Sequence, residues 1–388
     1  MDDFHWVLRT SFFESRLYDL AYFITCIVFV FLGNTLFKVR SLPAVLILAH
    51  CLLPLILYGG VISYQYMPDG LKYWDAFNGI RMGDISVNDA FMGGNVEQAA
   101  LLFSIFPMPA AVTPASLAYI NIIIYASLYY WLTSKKIFTP VSEWFYLIYP
   151  SFALYAGLPL RDTMIFAFML VAIQWAREGR WFLLILPLFL LSSIKFQNAF
   201  ILILFIFSGM SFGLFKKGIS LPKGAFLVFF GFVFLYITEP VLGPEINRFR
   251  LAMYVENGGL SSEVGQIYGV KDFFYSALLG GFYFIVKPLP WEVSGVFPLI
   301  QVSENILVFI FLVLLVVVAW RRNPRKLMLW VFFIVFGSAI YGMVVFNYGT
   351  AARYRFPFIL LFVIFVCADC GVQRVVRIKF FSRNAIHK

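Results

Sequence analysis

The chain is short of the residues on which most soluble chemistry relies. Its three histidines, His5, His50 and His387, are scattered, and no H-E-x-x-H spacing sets two imidazoles on one helix face, so histidine-borne metal catalysis is not expected. The sequence contains no Walker A loop, which argues against ATP-driven transport. No D-x-D pair stands in its polar loops to hold a divalent ion. We therefore expect no metal and no cofactor. Cysteine is equally scarce. Cys26, Cys51, Cys367 and Cys370 all fall within or at the ends of apolar runs, where a thiol behaves as a small hydrophobe. Cys367 and Cys370 do form a C-x-x-C, but without the βαβ context or second pair that redox or zinc work requires.

Charge is scarce too. Only 13% of the residues are charged, while 62% are hydrophobic and 20% aromatic; soluble domains carry roughly 25% charged residues. No soluble fold can hide that much apolar surface. The apolar runs are spread from residue 19 to residue 371, so we expect one membrane domain, 1–388, all-α, a polytopic bundle of transmembrane helices. The N-terminus carries Asp2, Asp3 and Glu14 and lacks a basic region followed by a cleavage site, unlike a signal peptide. The formal charge of +10 does not point to nucleic acid, because the bases lie in short loops between apolar runs and form no stripe with exposed aromatics.

A spanning helix needs about 20 mostly apolar residues. That rule places eleven spans, near 19–37, 43–63, 115–133, 140–157, 163–177, 181–195, 198–215, 224–239, 303–320, 327–346 and 357–371. The segment 273–290 is apolar enough to be a twelfth span, a re-entrant hairpin or an interfacial helix. Assigning alternate loops to the two sides puts 18 of the 30 bases on one face, against only Glu143, Glu178 and Asp369. By the positive-inside rule that face is cytoplasmic, and with it the basic tail 371–388. The N-terminus and two long loops, 64–114 and 240–304, then lie outside, as expected for a bacterial inner-membrane protein. Loops of that length are uncommon unless they bind or catalyse.

The first long loop reads Tyr66-Met-Pro-Asp69-Gly-Leu-Lys72-Tyr73-Trp74-Asp75-Ala-Phe77, with Glu97 further on. If it is helical after Pro68, Asp69 and Tyr73 share a face: a carboxylate that could take a hydroxyl proton stands beside a phenol. A solvated amphipathic helix on the membrane surface would show the same pattern. Arg161 and Asp162 follow Gly157-Leu-Pro159-Leu and open the fifth span, where backbone N–H groups, the helix dipole and a guanidinium fork suit a phosphate; an interfacial cap is the plainer reading. Lys195 stands alone between the sixth and seventh spans, where an ionisable group is costly and a functional role is the default, with snorkelling to headgroups the alternative. Arg353-Tyr-Arg355-Phe-Pro357 precedes the last span. Pro357 suits a first helical turn and biases the preceding residue to an extended shape, so two arginines at alternate positions would face one way. Arg248 and Arg250 repeat the spacing. Two such pairs look like a pyrophosphate clamp, or like a site for lipid headgroups.

This pattern resembles the Wzy-type and EpsG-type polysaccharide polymerases, grouped with the GT-C lipid-dependent glycosyltransferases. The resemblance runs over most of the chain. It rests on two spans before a loop with Asp69-x-x-x-Tyr73-x-x-x-Phe77, a later acid at Glu97, Leu160-Arg161-Asp162 opening the fifth span, Lys287-Pro-Leu-Pro290-Trp291-Glu292, and the closing Arg353-Tyr-Arg355-Phe-Pro357. It implies transfer of a glycan chain from undecaprenyl pyrophosphate to a hydroxyl of the next lipid-linked repeat unit. Arg161, Arg353 and Arg355 would stabilise the leaving diphosphate, with Lys195, Arg248 and Arg250 as lesser candidates. Asp69 would be the base, or else Glu97 or Asp162, and Tyr66, Tyr73, Trp74 and Trp291 would stack on sugars. A flippase and a chain-length regulator would be partners, alongside membrane lipids. A transferase that adds one sugar from a polyprenyl-phosphate donor shares fold and cations. A transporter would instead place its ionisable groups near the bilayer midplane in repeated halves, and no internal repeat is visible.

Overall fold

The computed structural model describes residues 12–64, 67–108, 111–256 and 265–373. Helices are its only extended elements, and no β-strand forms among the described residues. Helix starts follow a repeated local rule. Thr113-Pro114, Thr139-Pro140 and Asn323-Pro324 each place a side-chain acceptor at the N-cap, bonded to a backbone N–H three residues on, and a proline at the first helical position, where its missing N–H costs nothing.

Among the described residues, five helices are long and apolar enough to cross a membrane by length and composition: α1 (Phe12–Leu36), α7 (Pro114–Ser134), α16 (Val296–Arg322), α17 (Pro324–Val344) and α18 (Tyr348–Asp369). The most apolar windows of α7 and α18 are 83% and 89% buried, those of α1 and α16 only 28%, so α7 and α18 are the inner helices and the other two are peripheral. Between α1 and α7 lie α2 (Ser41–His50), α3 (Leu53–Ile56), α4 (Asp69–Met82), α5 (Val87–Met92) and α6 (Asn95–Ser104). After α7 come α8 (Pro140–Ile148), α9 (Pro150–Ala156), α10 (Asp162–Glu178), a 3-10 turn (Trp181–Leu184) leading into α11 (Ile185–Ile194), α12 (Phe196–Ser211), α13 (Leu214–Lys217), α14 (Leu221–Glu256) and α15 (Gly269–Val286).

Several expected spans are corrected by this layout. The 43–63 run divides at Cys51-Leu52 into α2 and α3, and the 140–157 run divides at Tyr149-Pro150 into α8 and α9, there because the residue before the proline is driven to extended backbone. The 224–239 run is the first half of α14, whose 36 residues carry Pro240 and Pro244 inside. The stretch 240–304 is therefore mostly helical, and so is 64–114, which holds α4, α5 and α6. The last helix begins at Tyr348 rather than at 357, with Asn347 as its cap. The tail from 374 and Tyr66 lie outside the described residues.

The loop bases assigned to one face do gather at one end of the bundle. Arg177 pairs with Asp369, which also accepts from Trp330 Nε1 at 2.9 Å; Lys135 and Arg180 share Glu178; Arg40 meets Glu143; and Arg322 reaches the Gly371 carbonyl. We call this the basic end. At the other, capped end, α4, α5 and α6 cover the bundle.

Helix α15 takes up the segment proposed as a twelfth span. Both its ends are tied into the capped half: Gly269 N–H donates to Glu239, and Arg355 takes carbonyls at its C-terminus. It crosses α17 at glycines. A Cβ on Gly342 would stand 2.2 Å from the Gly280 backbone, and one on Gly280 2.5 Å from the Gly342 carbonyl. Backbone on both sides leaves nothing that can yield, so Gly342→Ala is expected to destabilise the protein by about 1–3 kcal/mol, the usual cost of overpacking, read as a lowered Tm in detergent.

Candidate functional site at the capped end

Helix α4 is fastened to the bundle at several points, and that fixes where its first residue points. Tyr58 donates to the Met67 carbonyl at 2.7 Å, and Trp74 Nε1 and Asn78 both donate to the Ala111 carbonyl at 2.8 Å. Gly70 lets α4 seat against the Gly157-Leu-Pro159-Leu stretch: a Cβ there would meet the Tyr58 hydroxyl at 2.6 Å and Pro159 at 2.9 Å. Asp69, next to this contact, thereby faces the start of α10. Tyr58 is fully buried and the proline ring is rigid. Gly70→Ala is thus expected to displace Asp69 from the start of α10, read as a lowered Tm, while leaving the helix content measured by circular dichroism unchanged.

The centre of the site is Arg353 on α18. Its Nε donates to Asp162 at 2.5 Å and its NH1 to Asp69 at 2.8 Å, so one guanidinium joins the cap to α10 from positions 284 and 191 residues away in sequence. Lys72 lies 3.7 Å from the other Asp69 oxygen. Beside this bridge stand two more cations. Arg161 lies over the Tyr73 ring, 5.7 Å from its centroid, and its NH1 donates to the Asn95 carbonyl at 3.1 Å, while its Nε is buried with no hydrogen-bond partner among the described residues. Lys195 sits in the break between α11 and α12, its ammonium 3.8 Å from the Tyr354 ring centroid and near Tyr341. Both guanidinium groups act on that ammonium through space. Arg161, Asp162, Lys195 and Arg353 are all at least 91% buried. Among the described residues, neither Arg161 nor Lys195 forms an ion pair, so the cluster holds two carboxylates against four cations. A desolvated excess of positive charge of this kind favours an anion.

Two groups here lie on the cap, outside the spanning helices, and titrate abnormally. Burial opposes ionisation of Asp69, but the hydrogen bond and charge of Arg353, with Lys72 and Arg161, hold its carboxyl below the usual carboxylate range. Burial pushes the Tyr73 phenol up to about 12, partly offset by Arg161 and Arg353. Because the folded pKa of Asp69 lies below its unfolded value, the bridge stabilises the fold above the unfolded value, near 3.9, and that contribution is lost as pH falls through the folded one. The Tm difference between the native protein and Asp69→Asn is accordingly expected to be present at pH 7 and to shrink as the pH is lowered below about 4.

Of the ten residues singled out in the sequence, Asp69, Tyr73, Arg161, Asp162, Lys195 and Arg353 meet here, and four do not. Arg353 and Arg355 do not face one way. Helix α18 is already formed at both positions, with Pro357 in its interior, and residues two apart on a helix diverge by roughly 200°. Arg355 instead takes the carbonyls of Phe284, Ile285 and Lys287 at 2.8–3.2 Å and reaches Asn305, so it caps the C-terminus of α15. Arg250 does the same for α17, donating to Met343 O at 2.5 Å and lying over Phe346. Such positions suit a cation because helix C-terminal carbonyls carry partial negative charge. Arg248 is exposed and only 3.9 Å from Glu245. Glu97 is half-buried on α6, and no hydrogen bond or ion pair joins it to the cluster among the described residues; the Asn95 carbonyl of that helix is what meets Arg161. Trp291 is exposed, next to the Lys287–Glu292 pair at 2.7 Å.

Sequence reasoning missed two contributors. Tyr354, between the two arginines, packs on Lys195; its place inside the quoted motif was the available signal. Asp19 on α1 is fully buried, accepting from Thr113 and Ser116 hydroxyls at 2.5 Å each and pairing with Arg16 at 2.9 Å, while Arg16 also reaches the Tyr58 carbonyl. This network ties α1 and α7 to the segment that leads into α4. An acid opening the first apolar run was its only mark in the sequence.

No protein-family model matches the chain, no curated protein matches it, and no solved structure matches its fold.

Proposed function

We propose that the protein is a membrane glycosyltransferase that polymerises lipid-linked repeat units, with the capped end outside the inner membrane and the basic end in the cytoplasm. In this reading the donor is a glycan on undecaprenyl pyrophosphate, the acceptor a hydroxyl of the next lipid-linked unit, and the product a longer O-antigen or exopolysaccharide chain. The observation that carries it is the pair of buried cations without carboxylate partners, Arg161 and Lys195, beside a carboxylate bridged to Arg353.

The chemistry follows from charge. The bond between the anomeric carbon and the diphosphate oxygen breaks, the acceptor oxygen bonds to that carbon, its proton goes to a base, and the diphosphate leaves with increased negative charge. Arg161 and Lys195 supply fixed positive charge where that anion develops. Asp162, nearly fully buried against Arg353, has no room for a substrate proton and serves to hold the guanidinium. Asp69 is partly exposed and remains the base. Held by Arg353 it is a weak one, so the arrangement couples the two ends of the reaction: as Arg353 NH1 turns to the leaving diphosphate, Asp69 loses its partner and gains basicity. A flippase and a chain-length regulator would act before and alongside this step.

The experiment is the size distribution of surface polysaccharide on a gel, from a strain lacking the protein and complemented with the native chain or with Arg161→Ala. The expected result is collapse of the long ladder to a core with a single repeat unit in both the deletion and the Arg161→Ala strain. A repeat unit lacking one sugar would instead identify a transferase of single sugars from a polyprenyl phosphate, and an unchanged ladder would overturn both readings in favour of transport.

A further inference from the structure

The cap carries apolar side chains on its rim that the described residues leave exposed. Met82, Val87, Phe91, Met92 and Ile105 run along α4, α5 and the end of α6, with Met92 and Ile105 each 73% exposed. The polar residues of the same segment, Asp84, Asn88 and Asp89, are exposed as well, and Asp89 is bonded to the Ser86 cap of α5. Gln98 donates to the Phe91 carbonyl at 3.0 Å and locks α5 to α6. The rim is thus a fixed surface.

Its neighbour says what medium it meets. Phe91 packs against Phe189 of α11, ring centroids 6.3 Å apart, and α11 is one of the most outward-facing elements of the bundle: Phe182, Ile185, Leu186 and Phe189 are exposed along it and Phe196 just beyond. The 3-10 turn and α11 together have four and ten residues, so they rise about 23 Å. The hydrocarbon core of a bilayer is roughly 30 Å thick. Starting from Arg180 at the basic end, this element stops short of the far hydrocarbon boundary by several ångströms. The surface next to it is provided by α5 and α6, where the exposed apolar Phe91 and Met92 follow the polar Asn88 and Asp89. Phe91 continues the apolar face of α11 through Phe189, and lipid hydrocarbon would find an open notch over α11 if the cap stood clear of it.

We propose that the rim of the cap, Met82 to Ile105, lies in the leaflet at the capped end, with Met92 and Ile105 in contact with lipid chains and α5–α6 completing the lipid-facing wall above α11. Lys195 and Arg161 then lie below the headgroup level, roofed by an immersed element. This inference rests on the membrane-embedded bundle alone and stands whatever reaction the site performs.

Nitroxide labels on Met82→Cys, Met92→Cys and Ile105→Cys, each in the full chain reconstituted in phosphatidylcholine–phosphatidylglycerol vesicles, test it. All three positions are exposed, so the variants are expected to fold, and the native cysteines are buried and should take up no label, which the parent protein checks. Collision rates with oxygen, which partitions into lipid, are compared with those of a water-soluble nickel chelate, using Lys216→Cys, exposed on the short basic helix α13, as the aqueous reference. Severalfold preference for oxygen at Met92 and Ile105, reversed at Lys216, is the expected result. Preference for the chelate at Met92 and Ile105 would overturn the proposal in favour of a cap standing in water. Protection from both reagents would overturn it in favour of a second copy or another protein covering the rim.

Discussion

Arg353→Ala is expected to abolish chain extension and to unfold the protein at a markedly lower temperature. The cause is the position of Asp162, 2% exposed and bonded to Arg353 Nε at 2.5 Å. Removing the guanidinium leaves a buried carboxylate with its main partner gone, a change that costs about 3–5 kcal/mol. It also frees Asp69 and breaks the ion pair that ties α4 to the inner helix α18. Arg353→Lys is expected to fall between: it keeps the charge, but a single ammonium on a flexible stem cannot reproduce two bonds to two carboxylates in a fixed plane. A double change separates fold from function. Arg353→Met with Asp162→Leu removes both buried charges and is expected to recover most of the lost Tm, while the polysaccharide ladder stays collapsed. Recovery of the ladder in that double variant would show that Arg353 matters for folding alone.

The second large effect is expected at Arg161 and Lys195, and its signature is the reverse. Neither forms an ion pair among the described residues, so Arg161→Ala and Lys195→Met should leave Tm within a few degrees of the native value. Each should lower kcat by about 10²–10³, the range found when one donor to a developing oxyanion is removed. Arg161→Lys should restore part of that loss, since an ammonium supplies charge without the planar fork. Two arginines provide the contrast. Arg355→Ala strips three carbonyl contacts at the end of α15 and one to Asn305 within α16 and should act through stability, whereas Arg248→Ala changes an exposed side chain and should do nearly nothing to either readout. Rates in proteoliposomes with purified lipid-linked substrate, beside thermal unfolding in detergent, would check all of these. Equal loss of Tm for Arg161→Ala and Arg355→Ala would remove Arg161 from the site.

How much of this was legible beforehand depends on the range of the interaction that decides it. Three helix starts carry a local signal, since Thr113-Pro114, Thr139-Pro140 and Asn323-Pro324 cap themselves within one turn. The basic end was legible because Lys and Arg in short loops mark an end whatever the packing. Span boundaries were less so. Apolar runs read alike whether a chain continues or breaks, and only the geometry at Tyr149-Pro150 and at Cys51-Leu52 shows where α8 gives way to α9 and α2 to α3. Arg355 was misplaced for a local reason: an extended approach to Pro357 and a helix already running from Tyr348 point the same side chain in opposite directions. Glu97, Arg248 and Arg250 were misplaced because charge and spacing identify a residue able to bind, while packing decides what it meets.

The sequence by itself therefore determined the class of molecule, a helical membrane protein with one basic end, since composition and the bilayer's dimensions leave no other way to satisfy so much apolar backbone. It also determined which unusual charged residues needed an explanation, because an ionisable group at membrane depth is costly wherever it stands. Tertiary structure alone decided their pairing. Asp69, Asp162 and Arg353 come from a cap helix, the start of α10 and the second turn of α18, and Lys195 from a helix break. Nothing local to any of them specifies the others; they meet because Gly70 admits Pro159, because Asp19 and Arg16 hold the segment before α4, and because α18 is buried deeply enough to bring Arg353 between two acids.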